Sequence, residues 1–465
     1  MILDRVFTPG LAQVAYLVAD EKAGVAAVID PRRDIDTYLD WAASRNLRIV
    51  AALETHVHAD FVSGARELAE ATGASIYVSR LGNQEFTHQP LDDGDTITIG
   101  ELILQALWTP GHTPEHMCFL LTNPEQRSGP IALYSGDLLF VGEVGRPDLL
   151  GSEQTQKLAK QLYETFSERL SDLPDDLIVY PGHTAGSSCG KSIGAAPQTT
   201  LGQERLFNYA LQPDVIASQD AFIAAVMTGM PAPPAYYPTM KRVNKVGPTL
   251  VKDLAPGAAL SVDEVERRVE EGALIVDVRS IDAFNNAHIT NSFFAGPDDD
   301  LVNWTGWLAP YDRQLILVLD DESRYEIVRT ALRRIGLDLL AGYLSGGIAA
   351  WQQADRAIES IPTITVEMLR DRMSRKDGLV VLDVRSRDEW NRGHIAGAVT
   401  RFAGEIASGA GIPVESAPDI AIICESGYRS TVSISLLEAR GHHNLINVSG
   451  GMDAWQAARL PLEVA

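Results

Sequence analysis

Side chains that bind metal ions are concentrated in the segment ETHVHADFVSG, residues 54–64. Histidine, histidine and aspartate alternate there with other residues, and the later segments GHTP, SGD and PGH each add one candidate. Imidazole and carboxylate groups together suit zinc, iron or manganese. In chain order the candidates are His56, His58, Asp60, His112, Asp137 and His183. Four such segments, each following an apolar run, predict a metal site.

A second reactive group is Cys424. The apolar run IAII leads directly into Cys424-Glu-Ser-Gly-Tyr-Arg429-Ser430, and a helical pattern follows. A cysteine between a strand and a helix faces the backbone N–H groups of the turn, and these groups, with Arg429, would stabilise a thiolate or an anionic persulfide. The sequence therefore predicts Cys424 and Arg429 as catalytic residues.

The other two cysteines carry weaker signals. Cys189, in GSSCGK, follows His183 by six residues, so it is either a small buried residue or a persulfide carrier near the metal. Cys118 lies in the apolar run MCFLL and is expected in the core. Three widely spaced cysteines in a long chain predict no disulfide framework, which favours a reducing, cytoplasmic location.

Strand-like and helical runs alternate through the first half of the chain. The runs RIVAALET, ELILQALWT, IALYSGD and LIVYPG each lead into a candidate metal segment, and helical patterns such as TYLDWAASR lie between such runs. In α/β folds, reactive side chains usually lie at the carboxyl ends of strands. We therefore predict an α/β domain over residues 1–245, ending in a linker within the Pro-rich stretch 229–257.

The second half repeats itself at a spacing of roughly 105 residues. ALIVDVRSIDAFNNAHITNS matches LVVLDVRSRDEWNRGHIAGA, and SGGIAAW matches SGGMDAW. Each copy alternates strands with helices, which predicts two α/β domains with parallel sheets, over residues 258–358 and 361–465. The first copy has Asp320 where the second has Cys424, within an acidic run that would repel a bound anion. We predict that this middle copy is inactive.

Composition limits the partners of the chain. It has 465 residues, of which 45% are hydrophobic and 22% charged, as is ordinary for globular proteins. A formal net charge of −23 argues against nucleic acid or an anionic membrane, because both require a basic surface. No apolar run approaches the ~18 residues of a membrane span, and the N-terminus has no signal-peptide pattern. We expect small-molecule partners and a homo-oligomer.

The order of the metal-binding segments resembles that of the metallo-β-lactamase superfamily, whose fold is an αββα sandwich. The resemblance covers about residues 10–210. The family's first metal position corresponds to His56, His58, His112 and Asp137, and its second to Asp60, the following residue, Asp137 and His183. Phe61 stands directly after Asp60 and cannot ligate a metal. A binuclear hydrolase site is therefore disfavoured.

Within the superfamily the chain resembles the persulfide dioxygenases. The ligands that this resemblance implies for one non-haem Fe(II) per chain are His56, His112 and Asp137. Such a facial arrangement leaves positions open for substrate sulfur and O2. The residues that would orient these ligands and bound water are His58, Asp60 and His183. Arg146, in the segment GRPD, would bind the carboxylate of a thiol substrate.

The last copy resembles the rhodanese family along its whole length, including LDVRS, the C-x-x-G-x-R-S loop and SGGMDAW. Its loop from Cys424 to Arg429 has the short form that is typical of sulfurtransferases, whereas the related phosphatases use a loop one residue longer. The resemblance implies transfer of sulfane sulfur through Cys424, with thiosulfate as product or donor.

Together the resemblances imply a bifunctional sulfur enzyme. The first domain would oxidise a thiol persulfide with O2 to sulfite and thiol, and Cys424 would transfer sulfur, either forming or using thiosulfate. Two alternatives stay open: a glyoxalase II-like thioester hydrolase with an appended rhodanese, and a non-catalytic sulfane-sulfur carrier or sensor. The sequence does not identify the thiol, choose iron over zinc, or tell whether the middle copy is a scaffold, a dimer contact or a channel wall.

Overall fold

The protein is described from a computed structural model, and the described residues are 1–297, 300–375, 377–414 and 417–464. Ala465, the last residue of the third predicted domain, lies outside them. The chain divides into two compact units. The first comprises Met1–Leu254 with Arg333–Gly336, and the second comprises Ala255–Leu332 with Leu337–Ala465. The boundaries between the three predicted domains stay predictions.

The first unit contains two six-stranded sheets and a two-stranded ribbon. Strands β1 to β6 form the first sheet in chain order, the second sheet has the order β14-β13-β10-β9-β8-β7, and β11 pairs with β12. The strands are β1 (Ile2–Thr8), β2 (Gln13–Asp20), β3 (Val25–Ile29), β4 (Arg48–Leu53), β5 (Ser75–Ser79), β6 (Gln89–Leu91), β7 (Thr96–Ile99), β8 (Leu102–Trp108), β9 (Met117–Thr122), β10 (Ala132–Gly136), β11 (Leu139–Phe140), β12 (Glu143–Val144), β13 (Ile178–Pro181) and β14 (Thr199–Thr200).

Helices cover the outer faces of these sheets. In chain order they are α1 (Asp36–Ala43), α2 (Ala65–Thr72), α3 (Ser152–Glu164), α4 (Leu201–Phe207), α5 (Pro213–Ile216), α6 (Gln219–Met227) and α7 (Tyr237–Val246). Tyr38 of α1 and Leu68 of α2 pack on the first sheet, whereas Leu162 of α3 and Phe222 of α6 pack on the second. The inner faces of the sheets share one apolar core. The predicted αββα sandwich is thereby confirmed.

Strand periodicity explains why these residues form the inner layers. In β7, Ile97 and Ile99 are buried while Thr96 and Thr98 are exposed, which is the alternation of a strand with one face on a core. Strand β2 of the first sheet is buried on every residue, because helices cover the face that does not line the shared core. A strand that is apolar along its whole length is therefore covered on both faces, whereas a strand that alternates is covered on one face.

The boundary between the two units follows Leu254, inside the Pro-rich stretch 229–257 where the sequence predicts a linker, but part of this stretch is helical. Ten of its residues form α7, whose side chains Tyr237, Met240 and Asn244 are buried in the first unit. Asn244 Nδ2 donates to the carbonyl oxygens of His58 at 2.9 Å and Phe61 at 2.7 Å. The sequence did not indicate this helix because proline is typical of a linker. Here a proline stands at the helix start, where no backbone N–H is needed.

The second unit contains the two copies, each with a five-stranded parallel sheet. The sheet orders are β15-β20-β19-β16-β18 and β22-β26-β25-β23-β24, and β17 pairs with β21. The strands are β15 (Ala258–Leu260), β16 (Leu274–Asp277), β17 (His288–Ile289), β18 (Phe293–Phe294), β19 (Leu315–Val318), β20 (Leu340–Leu344), β21 (Ile358–Glu359), β22 (Thr363–Ile364), β23 (Leu379–Asp383), β24 (Val399–Thr400), β25 (Asp419–Ile423) and β26 (Leu445–Val448). The predicted parallel sheets are confirmed.

The helices of the second unit follow the strands in alternation. They are α8 (Val262–Glu270), α9 (Ile281–Asn286), α10 (Asp300–Leu308), α11 (Tyr325–Arg334), α12 (Gly347–Gln353), α13 (Val366–Arg375), α14 (Arg387–Arg392), α15 (Ala403–Ala407), α16 (Tyr428–Glu438) and α17 (Gly451–Ala457). Among the residues that the structure describes, no helix has the length and apolar character needed to cross a membrane.

The repeat extends to individual side-chain contacts. Arg279 forms a buried ion pair with Asp277 at 2.6 Å, and Arg385 forms the equivalent pair with Asp383 at 2.8 Å. Each arginine thereby holds the loop that follows the second strand of its copy. Because both partners lie within the repeated motif DVRS, the motif itself explains why the two copies fold alike.

Candidate functional site

Two imidazoles and one carboxylate meet beyond the carboxyl ends of three strands. His56 follows β4, His112 follows β8 and Asp137 follows β10. All three are at most 3% exposed, and one ligand atom of each lies within 4.8 Å of the others. Asp137 Oδ2 is 3.5 Å from His112 Nε2 and 3.9 Å from His56 Nε2. The three residues predicted as metal ligands thus form one cluster.

Hydrogen bonds orient both imidazoles. His112 Nδ1 lies 2.9 Å from the carbonyl oxygen of Arg146, which can only accept, so Nδ1 carries the proton. His56 Nδ1 lies 3.0 Å from Thr55 Oγ1, which donates its own hydrogen to Asp30 Oδ2 at 2.8 Å. Both Nε2 atoms therefore keep a lone pair. Burial, and then nearby cationic groups, hold the pKa of both histidines well below the ordinary value.

The polar atoms of this cluster fit a metal ion. His112 Nε2 and Asp137 Oδ2 are buried, and neither has a hydrogen-bond partner among the described residues. Leaving a buried polar atom without a partner costs about 1–3 kcal/mol, and a bound cation would satisfy both. Two imidazole nitrogens and one carboxylate oxygen suit zinc, iron or manganese. The cluster therefore has the donor atoms and the unpartnered geometry that fit a metal ion.

A second cluster lies beside the first and consists of Asp60, His183 and Cys189, with one ligand atom of each within 4.8 Å of the others. His183 Nε2 is 3.3 Å from Asp60 Oδ2 and 3.4 Å from Asp137 Oδ1. Burial, and then the carboxylates of Asp137 and Asp60, raise the pKa of the Cys189 thiol well above its ordinary value. The roles predicted for these three residues stay predictions, but all three do lie at the site.

His58 does not join either cluster. Its Nε2 lies 3.1 Å from Asp30 Oδ1 and 3.0 Å from Glu54 Oε2, and its ring packs on that of His56 with centroids 4.3 Å apart. Burial opposes a charged ring, but the two carboxylates outweigh it and hold the pKa of His58 well above its ordinary value. In this position the ring of His58 supports the ring of His56, and its Nδ1 is buried without a hydrogen-bond partner among the described residues.

Arg146 lies at the site in a buried ion pair, and its substrate-binding role stays a prediction. The residue is fully buried, and its guanidinium donates to both carboxylate oxygens of Asp148 at 2.7 and 2.8 Å. The remaining donors reach the carbonyl oxygens of Ser188 and Pro231. A substrate carboxylate would have to displace these partners. Arg146 connects the loops around the site, and its own carbonyl orients His112.

Sequence reasoning missed Lys241, which lies in the segment assigned to the linker. Its Nζ is buried and has no hydrogen-bond partner among the described residues. Its positive charge contributes to lowering the pKa of His56 and of His112, so the ammonium lies near the cluster. An unpaired buried ammonium is unfavourable unless an anion binds beside it. Only the amphipathic pattern of α7 could have drawn attention to this residue.

His116 was also missed, although it stands four residues after His112. Its Nε2 accepts from the backbone N–H of Asp137 at 3.2 Å, and its Nδ1 lies 2.9 Å from Thr109 Oγ1. Burial lowers the pKa of His116 to about 3, so the ring is neutral and can accept that hydrogen bond. This contact fixes the backbone of a metal-binding residue.

Cys424 lies where the sequence predicted it, between β25 and α16, and is 1% exposed. The backbone N–H of Gly427 donates to its Sγ at 3.1 Å, and Ser430 Oγ is 3.7 Å from the same atom. The motif SGGMDAW also contacts this loop, because the backbone N–H of Met452 donates to the carbonyl oxygen of Cys424. Backbone donors of this kind stabilise a sulfur anion.

Arg429 is engaged by a carboxylate. Its Nη1 and Nη2 donate to Glu389 at 2.8 and 2.6 Å, a bidentate pair. Against the effect of burial, Arg429 lowers the pKa of Glu389 to about 2, so the pair is intact at neutral pH. The described contact to the sulfur of Cys424 comes from the Gly427 amide, and the catalytic role of Arg429 stays a prediction.

The middle copy presents carboxylates at the position equivalent to Cys424. Asp320, Asp321 and Glu322 follow β19 and are exposed, and Glu322 accepts from the N–H of Gly346 in the SGG motif. The equivalent loop therefore keeps a contact with the SGG motif, but it has Asp320 where the last copy has the thiol of Cys424. Its predicted inactivity stays a prediction that this geometry supports.

The two copies share apolar contacts next to Cys424. Phe294 of the middle copy packs on Tyr428, with ring centroids 5.5 Å apart, and both belong to one core cluster with Cys424. A cavity of about 290 Å³ lies between Ser280 and Asn285 of the middle copy and the loop at Gly427. The role of the middle copy, as a scaffold, a dimer contact or a channel wall, stays a prediction.

Comparison with known proteins agrees with this geometry. The family description "Metallo-beta-lactamase superfamily" matches residues 8–183, and "Rhodanese-like domain" matches residues 261–354 and 365–458. Human mitochondrial persulfide dioxygenase ETHE1 is 32% identical over 190 residues, which are 39% of this chain and 68% of that protein. This match decides the family. The chain belongs to the metallo-β-lactamase superfamily and carries two rhodanese-like domains.

Other members of the superfamily are equally similar. A hydroxyacylglutathione hydrolase of Polaromonas is 36% identical over 187 residues, covering 39% of this chain and 66% of its own length, slightly under two thirds. A crystal structure described as a metallo-β-lactamase from Staphylococcus aureus has 36% identity and a TM-score of 0.66, covering 74% of this chain and 98% of that one. Relatives with different described activities therefore share this fold and this level of identity with the chain.

Within this metallo-β-lactamase domain, glycines let the metal-binding loops approach one another. A Cβ added to Gly182 would lie 2.8 Å from Asp137 Oδ1 and about as close to the backbone of Gly136. We expect Gly182→Ala to displace Asp137 and lower metal content several-fold, as measured by plasma emission spectrometry on purified protein. Gly129→Ala is the matched control, because a Cβ there meets nothing within 4 Å. Unchanged metal content in Gly182→Ala would contradict the ligand role of Asp137.

Proposed function

We propose that the chain is a bifunctional enzyme of sulfur metabolism. The metallo-β-lactamase domain oxidises a thiol persulfide: RSSH + O2 + H2O gives RSH, HSO3⁻ and H⁺. The second rhodanese-like domain moves sulfane sulfur through Cys424, and thiosulfate is its product or its donor. One Fe(II) held by His56, His112 and Asp137 would provide the site where sulfur and O2 react.

The observation that carries the proposal is the donor set of the first cluster. His112 Nε2 and Asp137 Oδ2 are buried without partners among the described residues, and His56 Nε2 lies 3.9 Å from that carboxylate oxygen. His58 corresponds to a further ligand of the family's hydrolases, and its Nε2 is engaged by Asp30 and Glu54. Three protein ligands leave positions open for a substrate sulfur and O2. The similarity to persulfide dioxygenase ETHE1 supports the same reaction class.

Lys241 is the residue that we assign to binding the anionic substrate. Its buried ammonium has no partner among the described residues, and a persulfide or a substrate carboxylate would supply one.

A hydrogen bond to a charged group is worth about 1.5–3 kcal/mol, which corresponds to a ~10- to 100-fold change in KM. We expect Lys241→Met to raise KM in this range with a smaller effect on kcat. Lys245→Met, exposed on the same helix, is the control, and an unchanged KM in Lys241→Met would remove Lys241 from the substrate site.

In the rhodanese reaction Cys424 attacks the outer sulfur of a persulfide. The bond between the two sulfur atoms of the substrate breaks, the thiol leaves, and an enzyme persulfide forms that the Gly427 amide can stabilise. Sulfite then attacks the outer sulfur of this persulfide, giving thiosulfate and the Cys424 thiolate. The cavity beside Gly427 provides room for the acceptor. The reverse sequence loads a thiol from thiosulfate.

The fusion of the two activities favours coupling. Both reactions use persulfides, and the first produces the sulfite that the second consumes. Attachment to one chain raises the local concentration of such a shared intermediate. It does not determine the direction of the rhodanese step, which depends on the relative supply of persulfide and thiosulfate.

The test is oxygen uptake by anaerobically purified, iron-loaded full-length protein supplied with glutathione persulfide, with sulfite measured in parallel. We expect one sulfite for each O2 consumed. The rival thioester hydrolase, favoured by the similarity to hydroxyacylglutathione hydrolase, predicts hydrolysis of S-lactoylglutathione and no oxygen uptake. A sulfur carrier or sensor predicts turnover of neither substrate.

A further inference from the structure

Another group of metal-binding side chains lies within the second unit. It consists of His288 in β17, Glu359 in β21 and Glu438 at the end of α16, and one ligand atom of each lies within 4.8 Å of the others. The imidazole is 1% exposed, and the side chains of Glu438 and Glu359 are 12% and 31% exposed. Neither proposed reaction uses these three residues, which we call the His288 cluster.

The fold brings the His288 cluster together from both rhodanese-like copies. His288 and Glu359 are directly opposite each other in the antiparallel pair of β17 and β21, so their side chains share one face. The ring of Phe284 stacks on the imidazole with centroids 4.1 Å apart and fixes its orientation. Glu438 belongs to the last copy, on the helix that follows the Cys424 loop. The cluster therefore connects the two copies.

Hydrogen bonding determines which nitrogen of His288 faces the carboxylates. Its Nδ1 lies 3.0 Å from the carbonyl oxygen of Phe284, which can only accept, so Nδ1 carries the proton of the neutral ring. Its Nε2 then presents a lone pair to Glu438 Oε2 at 3.3 Å and to Glu359 Oε2 at 3.8 Å. Glu438 Oε2 is buried and has no hydrogen-bond partner among the described residues. Buried lone pairs that face one another are unfavourable unless a cation lies between them.

The distances and charges of the His288 cluster fit a divalent ion. Ligand bonds of about 2.0–2.2 Å keep two ligand atoms of one ion no more than roughly 4 Å apart, and both distances from His288 Nε2 lie within this limit. The described ion-pair contacts of Glu359 and Glu438 are with His288, so neither carboxylate is neutralised by a lysine or an arginine. Two negative charges beside a neutral imidazole favour a cation of charge +2.

The last copy contains the same pair without the third residue. His394 stacks on Trp390, and its Nε2 lies 3.9 Å from Glu463 Oε2. Glu463 is the repeat equivalent of Glu359, but its side chain is 61% exposed. Among the residues that the structure describes, no further histidine, cysteine or acidic side chain completes this pair as a three-residue group. The contribution of Glu438 therefore distinguishes the two places.

We propose that His288, Glu359 and Glu438 bind one divalent transition-metal ion, of which zinc and manganese are examples, and that this ion holds α16 against the middle copy. One imidazole nitrogen and two carboxylate oxygens suit such ions, and water would complete the coordination. The ion would give the middle copy a part in positioning the helix that follows the Cys424 loop. The proposal does not depend on either proposed reaction.

Zinc binding by the full-length protein tests this proposal without any turnover. Metal-free protein is titrated with Zn²⁺, free metal is removed, and bound metal is counted by plasma emission spectrometry. We expect Glu438→Gln to bind one equivalent fewer than the wild type, because glutamine keeps the shape of the side chain and removes its charge. Glu463→Gln is the matched control in the last copy and should bind as much as the wild type. Zinc bound in the first unit is common to all three proteins and cancels in the comparison.

Glu359→Gln is the second test variant, because its partly exposed side chain tolerates substitution if Glu438→Gln does not fold. It should also bind one equivalent fewer than the wild type. Equal zinc content in the wild type and in the folded test variants would overturn the proposal, and a proton on His288 would then be the cation between the carboxylates. A loss that Glu463→Gln shares would overturn it as well. Neither outcome bears on oxygen uptake or sulfur transfer, which are measured separately.

Discussion

Replacing His112 with alanine should abolish oxygen uptake with glutathione persulfide. The residue supplies one of only three clustered ligand atoms, and its Nε2 has no other partner among the described residues. Even residues that merely orient ligands change metal affinity or activity by 10- to 100-fold, so loss of a ligand should cost at least about a hundredfold. Oxygen consumption and iron content of the same preparation measure the effect.

His88→Ala is the matched control, because His88 belongs to the same domain and its hydrogen bond among the described residues is to the carbonyl of Phe86 in its own loop. It should keep both iron and activity. A His112→Ala protein that still consumes oxygen at the wild-type rate would remove the metal centre from the reaction. If iron stays bound while activity is lost, His112 acts on the substrate and the ligand set must be revised.

The sequence predicted the metal cluster because its residues lie directly after apolar strands. The predicted ligands His56, His112 and Asp137 each follow a strand end, so the αββα topology brings them together. Lys241 could not be predicted in the same way. It reaches the site from α7, far along the chain, and its neighbouring prolines are typical of a linker.

The sequence also did not determine which groups pair with the two arginines of the predicted sites. GRPD and the C-x-x-G-x-R-S loop each place an arginine near an expected anion, yet Arg146 pairs with Asp148 and Arg429 pairs with Glu389. Asp148 belongs to the quoted segment GRPD and Glu389 lies 40 residues before Arg429, and the motifs alone do not show that these carboxylates take the place of a bound anion. The fold of each domain, by contrast, follows from strand and helix periodicity and from the 105-residue repeat, which need no knowledge of individual partners.

Replacing Cys424 with serine should eliminate sulfur transfer and leave oxygen uptake intact. A serine hydroxyl cannot form a persulfide, so we expect transfer from thiosulfate to fall by at least about a thousandfold, in line with loss of a catalytic nucleophile. The chain offers Cys118→Ala as a control that removes a different buried thiol. Transfer is measured as thiocyanate formed from thiosulfate and cyanide, and oxygen uptake as before.

The products formed from glutathione persulfide reveal how the two activities are coupled. If Cys424 adds sulfur to the sulfite made by the first domain, the wild type should release thiosulfate, and Cys424→Ser should release sulfite in its place at the same rate of oxygen uptake. If the rhodanese domain instead supplies persulfide from thiosulfate, the wild type given thiosulfate and glutathione should consume oxygen and the variant should not. A variant indistinguishable from the wild type in both assays would show that Cys424 takes no part in either route, and the backbone donor at its sulfur would then require another explanation than sulfur transfer.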